Sequence, residues 1–224
     1  LAAWTALAAE QNVAPAAALA FPYGGSDGMT DGHWQALQEA GITTVTRTRR
    51  PVDLDASDKY LLVDRNRYQP RLLPGRDVLA IPDFELQPKY RADVLARMQQ
   101  AAAAGGMLDL WAHTNEIVSP EQIAAWREVI AAAAGDPALW VAPLPEITGY
   151  WRGVRRVGVE ILAESPLRLR VSNPGPAALP GLTLLLPGRA ERVASALPIT
   201  QHNDRLTLDL PADSAEEITI WLAP

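Results

Sequence analysis

The feature that most constrains this chain is a change of period near Gly153. Up to about residue 150, helix signals alternate with short apolar runs. From Val157 onward only short β runs remain, separated by turn residues such as Asn173-Pro174-Gly175 and Asn203-Asp204. Strand–helix alternation predicts a mostly parallel sheet covered by helices, for which a barrel is the natural closed form. Short, evenly spaced strands predict a small β-sandwich. The expected organisation is therefore an α/β unit over residues 1–152 and an all-β unit over 153–224.

In the first part, Ala17 to Phe21, Ile42 to Thr46, Val78 to Ile81, Met107 to Trp111 and Leu139 to Ala142 read as strands. Helices are expected before Ala17, from about Thr30 to Ala40, from Lys89 to Ala104, from Ser119 to Gly135, and from Pro145 to Trp151. Trp4, Leu7 and Ala8 share a face of the first helix, Trp34 and Leu37 a face of the second. Gly41 and Gly105-Gly106 are helix stops, and Ser119-Pro120-Glu121-Gln122 is a helix start. Residues 47–77 are irregular, with a possible strand at Tyr60 to Val63. Arg47, Arg49 and Arg50 form the densest basic spot and read as a solvated loop. In the second part, strands are expected at Gly158 to Leu162, Leu167 to Ser172, Leu182 to Leu186, Arg205 to Leu210 and Glu217 to Leu222.

Composition narrows the function classes. A formal net charge of −6 without a basic cluster argues against a nucleic-acid partner. No apolar run approaches the ~18 residues of a membrane span. The absence of cysteine rules out disulfides, thiolate metal sites and Cys nucleophiles. Ala18-Leu19-Ala20 resembles a signal-peptidase site, but no basic region precedes it and Glu10, Gln11 and Asn12 interrupt the apolar stretch, so a helix is the better reading.

Three histidines are present: His33, His113 and His202. His113 follows directly on a predicted strand, with Glu116 three residues on. In parallel α/β folds ligands gather at strand C-terminal ends, where an imidazole suits proton transfer near neutral pH. A polar residue that merely satisfies a strand end is the alternative. His33 reads as a surface residue in a helix first turn and His202 as a turn residue without a role. No histidine pair has the spacing of a helical metal site, and no phosphate loop or nucleophile elbow occurs.

Phe21-Pro22-Tyr23-Gly24, Trp111-Ala112-His113-Thr114-Asn115-Glu116, Trp126, Leu139-Trp140-Val141-Ala142 and Glu146-Ile147 with Tyr150 together resemble the latter half of the polysaccharide deacetylases, the NodB-homology group of carbohydrate esterases. The resemblance covers residues 1 to about 152. It implies a partial (β/α) barrel of that type, ahead of the β-sandwich. It also implies a hydrolase that removes N-acetyl or O-acyl groups from a polysaccharide or amino-sugar oligomer with one divalent metal, usually zinc. The family's metal ligands and base belong to motifs absent from this chain, so the resemblance places them upstream. By the same resemblance His113 is the general acid toward the departing amine, with Glu116 beside it. The Tyr23 N–H, next to Gly24, helps hold the oxyanion, while Phe21 and Trp111 line the sugar groove. Both aromatics suit an ordinary core equally well. The family's Arg before Pro-Tyr-Gly has no counterpart at Ala20 or Phe21. A polymeric substrate implies an extracytoplasmic or secreted protein. A non-catalytic carbohydrate-binding or scaffold protein on the same fold is the rival expectation, and the β-sandwich reads as a spacer.

Overall fold

The computed structural model describes residues 2–21, 26, 28–47, 68–113, 115 and 117–223. The chain divides into two compact units, Leu1–Pro145 and Glu146–Pro224. Its class is mixed α/β with several sheets, and no closed barrel forms among the described residues. No described helix is long and apolar enough to cross a membrane. The expected strand at Tyr60 to Val63 lies outside the described residues.

The first unit begins with α1 (Ala2–Glu10), then β1 (Ala18–Ala20), α2 (Asp31–Glu39) and β2 (Thr44–Thr46). In α1, Ala8 is buried but Leu7 is 55% exposed, so the expected shared face does not hold for Leu7. Helix α2 starts at Thr30, whose hydroxyl accepts from the His33 N–H at 3.4 Å while His33 Nδ1 accepts from the Thr30 N–H at 3.1 Å. This is a capping box closed by an imidazole instead of a carboxylate. Trp34 and Leu37 face inward, as their spacing predicts. Gly41 ends the helix at φ 80°, which lets the Ile42 N–H reach back to the Leu37 carbonyl and turns the chain into β2.

Strands β3 (Arg71–Leu72), β4 (Leu79–Ala80) and β5 (Asp83–Glu85) follow. β2 pairs in parallel with β1 and with β4, while β3 runs antiparallel to β4. The Ile81 N–H still donates to the Val45 carbonyl, whereas the Pro82 carbonyl accepts from Asp109. β5 then pairs in parallel with β6 (Asp109–Trp111). A single extended segment thus meets β2 along one edge through Leu79 and Ile81, and β6 along the other from Pro82 onward. Val45, Val78 and Leu79 are fully buried, as expected of parallel strands covered on both faces.

A 3₁₀ turn, Pro88–Tyr90, leads into α3 (Arg91–Ala103); α4 (Pro120–Gly135) comes after β6. The Ser119 hydroxyl caps α4 by accepting from the Gln122 N–H. Leu86, Val94, Met98 and Val129 form the core between these helices and the β5–β6 pair. Leu139 to Ala142, expected as a strand, joins no ladder; Trp140 and Val141 are 51% and 70% exposed. An apolar run without burial has nothing to hold it in a sheet.

Nearly all of helix α5 (Leu144–Val154), expected with the first part, belongs to the second unit, where Tyr150 packs against the core of the strands β7 (Gly158–Glu164), β8 (Leu167–Asn173), β9 (Leu179–Leu185), β10 (Ala190–Ala194), β11 (Ile199–His202), β12 (Arg205–Leu210) and β13 (Ser214–Leu222). They form two antiparallel sheets, ordered β10-β13-β8-β7 and β11-β12-β9. Leu169, Val171, Ile218 and Ile220 from the first meet Leu179, Leu182, Leu206, Leu208 and Leu210 from the second in one core. On the outer face of β8, Arg170 bridges Glu160 and Glu217 at 3.1 and 2.8 Å, and Arg168 reaches Glu217 at 3.2 Å. Glu216 accepts hydrogen bonds from the Ser195 hydroxyl and from the Ala196 and Leu197 N–H groups, fixing the turn after β10. Burial pushes its carboxyl up, but these three donors outweigh that and hold it below the usual range. β10 and β11 escape the sequence pattern because their residues are mostly exposed.

Two substitutions test this packing. A Cβ on Gly106 would fall 2.5 Å from the Tyr68 Cβ and 2.6 Å from its carbonyl oxygen, so Gly106→Ala is expected to destabilise the first unit by about 1–3 kcal/mol. Leu206 is fully buried, and Leu206→Ala is expected to cost the second unit about 2–5 kcal/mol. Leu185, 71% exposed, serves as its control, with a change within about 0.5 kcal/mol on Leu185→Ala. Urea unfolding followed by NMR signals from each unit separates the effects.

Candidate functional site

Alternation along β5 and β6 sorts their side chains by chemistry. Phe84 and Leu110 pack on the helical core, so Asp83 and Glu85, with Asp109 and Trp111, share the opposite face of the pair. Asp83 lies directly across from Asp109, and Glu85 across from Trp111. The end of β2 meets this face: the Arg47 N–H donates to Asp83 Oδ2, and the Thr46 side chain hydrogen-bonds Asp109. Arg47 adopts φ 55°, a left-handed conformation rarely taken by a residue with a Cβ.

The Arg47 guanidinium lies 3.7 Å above the centre of the Trp111 ring. The edge of that ring system meets the His113 imidazole, with centroids 5.5 Å apart and planes at 78°. His113 is exposed, just past β6. Two buried donors, Arg47 Nε and Trp111 Nε1, have no acceptor among the described residues. The Glu85 carboxylate accepts from the Gln87 side chain.

Burial raises the Asp109 carboxyl above its ordinary value of 3.8; the Thr46 hydrogen bond opposes this, and the neighbouring Asp83 charge adds to it. Burial is the dominant cause.

Of the expected site residues, the structure brings Trp111 and His113 together at the end of β6. Phe21 is 5% exposed and meets Trp34 edge-on at 5.7 Å, inside the core around β1 and β2. Tyr23, Gly24 and Glu116 lie outside the described residues. His33 serves the α2 cap and His202 ends β11, exposed. Arg47 was not expected here: the run of arginines reads as a solvated loop, yet this one is half-buried and stacked. Asp83 and Asp109 were missed as a pair because 26 positions separate them; the alternating Asp-Phe-Glu and Asp-Leu-Trp runs are the signal that marks them.

No protein-family model matches the chain, and no curated protein matches it. Among the described residues no group of three His, Asp or Glu side chains is placed to hold a metal ion. The ligand motifs for the divalent metal that the resemblance implies have no counterpart in this sequence, and no chemical step is derived through it.

The raised Asp109 carboxyl gives a pH signature. A folded-state value above the unfolded one means that the folded protein binds the proton more tightly. Stability therefore falls as pH rises from the ordinary Asp range through the raised value. We expect Asp109→Asn to lose this slope, its stability relative to the parent chain increasing with pH over that window. Urea midpoints measured from acid to neutral pH report the difference; parallel curves would refute the assignment.

Proposed function

We propose that this chain carries the late part of the catalytic site of a polysaccharide deacetylase, on a partial (β/α) barrel followed by a β-sandwich. The reaction is metal-dependent hydrolysis of an N-acetyl, or O-acyl, group on a polysaccharide or amino-sugar oligomer. The observation that carries this reading is the exposed His113 imidazole directly after β6, edge-on to Trp111. The resemblance of the Trp111–Glu116 segment to the family's late histidine motif gives the imidazole its role.

The chemistry asked of His113 is delivery of a proton to the amine nitrogen as its bond to the acyl carbon breaks. A ring nitrogen of His113 can donate that proton to the amine as the bond breaks. The exposed position lets a polymer reach it. Through the resemblance, the Tyr23 N–H holds the acyl oxygen and Trp111 borders the sugar. By the resemblance the reaction also needs a divalent metal, whose ligand motifs have no counterpart in this sequence. A polymer substrate places the protein outside the cytoplasm.

The test uses the full-length product of the gene and the N-acetylglucosamine hexamer. His113→Ala is expected to lower kcat for acetate release on the order of 10²–10⁴-fold with little change in KM. An aryl acetate, whose leaving group needs no proton, is expected to lose far less. Near-normal turnover of the hexamer in the variant removes His113 from the mechanism. Sugar binding without acetate release from the parent protein favours the non-catalytic alternative.

A further inference from the structure

The Arg47 guanidinium is fixed from two sides. Its main chain is held by the N–H donated to Asp83, and its central carbon lies 3.7 Å over the Trp111 ring centre, a stacking distance. Stacking uses the faces of a guanidinium and leaves its N–H edges to hydrogen-bond in one plane. Those edges find no carboxylate among the described residues: the ion pairs of the two units involve other arginines, and Nε has no acceptor. The two nearby acids do not answer the charge. Asp83 engages the Arg47 main chain, and Asp109 is bonded by Thr46. The Arg47 Nε is shut off from solvent and has no acceptor among the described residues, which is costly for a donor. The Trp111 Nε1 beside it is a second donor in the same condition.

We propose that Arg47, stacked on Trp111, reads a planar carboxylate on the ligand, so that this site takes an acidic saccharide of the hexuronate class. Both orphaned groups are donors, so the missing partner is an acceptor. A two-oxygen acceptor lying in the plane of the guanidinium edge makes two parallel hydrogen bonds. The inference rests on the proposed saccharide-binding role of this face. It adds that the sugar next to the strand ends is charged, and that Trp111 carries the arginine on one face.

Titration calorimetry of the 224-residue chain tests this with three probes: the galacturonate trimer, the N-acetylglucosamine trimer and inorganic phosphate. The acidic trimer is expected to bind about tenfold more tightly than the neutral one, less so at high salt. Arg47→Ala is expected to abolish that preference. Arg47→Lys keeps the charge without the planar fork and is expected to retain salt dependence while losing most of the preference. Equal affinity for both trimers overturns the proposal, as does a preference that survives in Arg47→Ala, or phosphate binding as tight as the acidic trimer. Acetate release is a separate readout. An acidic preference in a protein whose full-length form releases no acetate keeps Arg47 and discards the hydrolase; acetate release without the preference does the reverse.

Discussion

One extended segment, β4 continuing into β5, places the polar groups at the strand ends. Successive residues of a strand turn their N–H and C=O groups to alternate edges. Leu79 and Ile81 therefore donate to β2, while the Pro82 carbonyl, on the other edge, accepts from Asp109 of β6. The segment that begins as β4 beside β2 continues as β5 beside β6. That arrangement sets Asp83 across from Asp109, and the end of β2 meets both: the Arg47 N–H donates to Asp83 and the Thr46 side chain hydrogen-bonds Asp109.

Two carboxylates side by side on a half-buried sheet face are unfavourable unless donors or a proton relieve them. Both kinds of relief are present. Asp83 receives the Arg47 N–H, which draws Arg47 into a left-handed backbone at a cost on the order of 1 kcal/mol or more. Asp109 receives the Thr46 hydrogen bond and is pushed toward its protonated form by burial. The strained arginine is thus a consequence of satisfying the acid, and its side chain is delivered over Trp111 as a result.

The sequence makes regular elements legible where periodicity and caps agree. Thr30 with Trp34 and Leu37, and Ser119 with Pro120 and Gln122, mark α2 and α4 at their N-termini, because capping is local chemistry. Leu167 to Ser172 is legible because one face of β8 is buried and the other carries arginines. β5, β10 and β11 are not, being short or mostly exposed, with little apolar pattern to read. In the candidate site, His113 is visible from its position after a strand. Arg47 is not, since its surroundings come from β5 and β6, far along the chain. Nor does Phe21 announce its side of the sheet: its neighbour Trp34 decides that it packs as core.

The arginines of the two units differ in a way that helix and strand rules do not anticipate. In the all-β unit, Arg168 and Arg170 stand exposed on β8 and each meets a glutamate one strand away. Pairs of that sort in water contribute little to stability, but they leave no charge unanswered. Arg47 is withdrawn further from solvent than either, has acids for neighbours, and still lacks a carboxylate partner among the described residues. Desolvation makes an unpaired cation more costly, so a fold under selection for stability alone would pair the half-buried arginine before the exposed ones. The reversed order among the described residues leaves the Arg47 guanidinium over Trp111 at the end of β6, where the proposed carboxylate ligand would meet it.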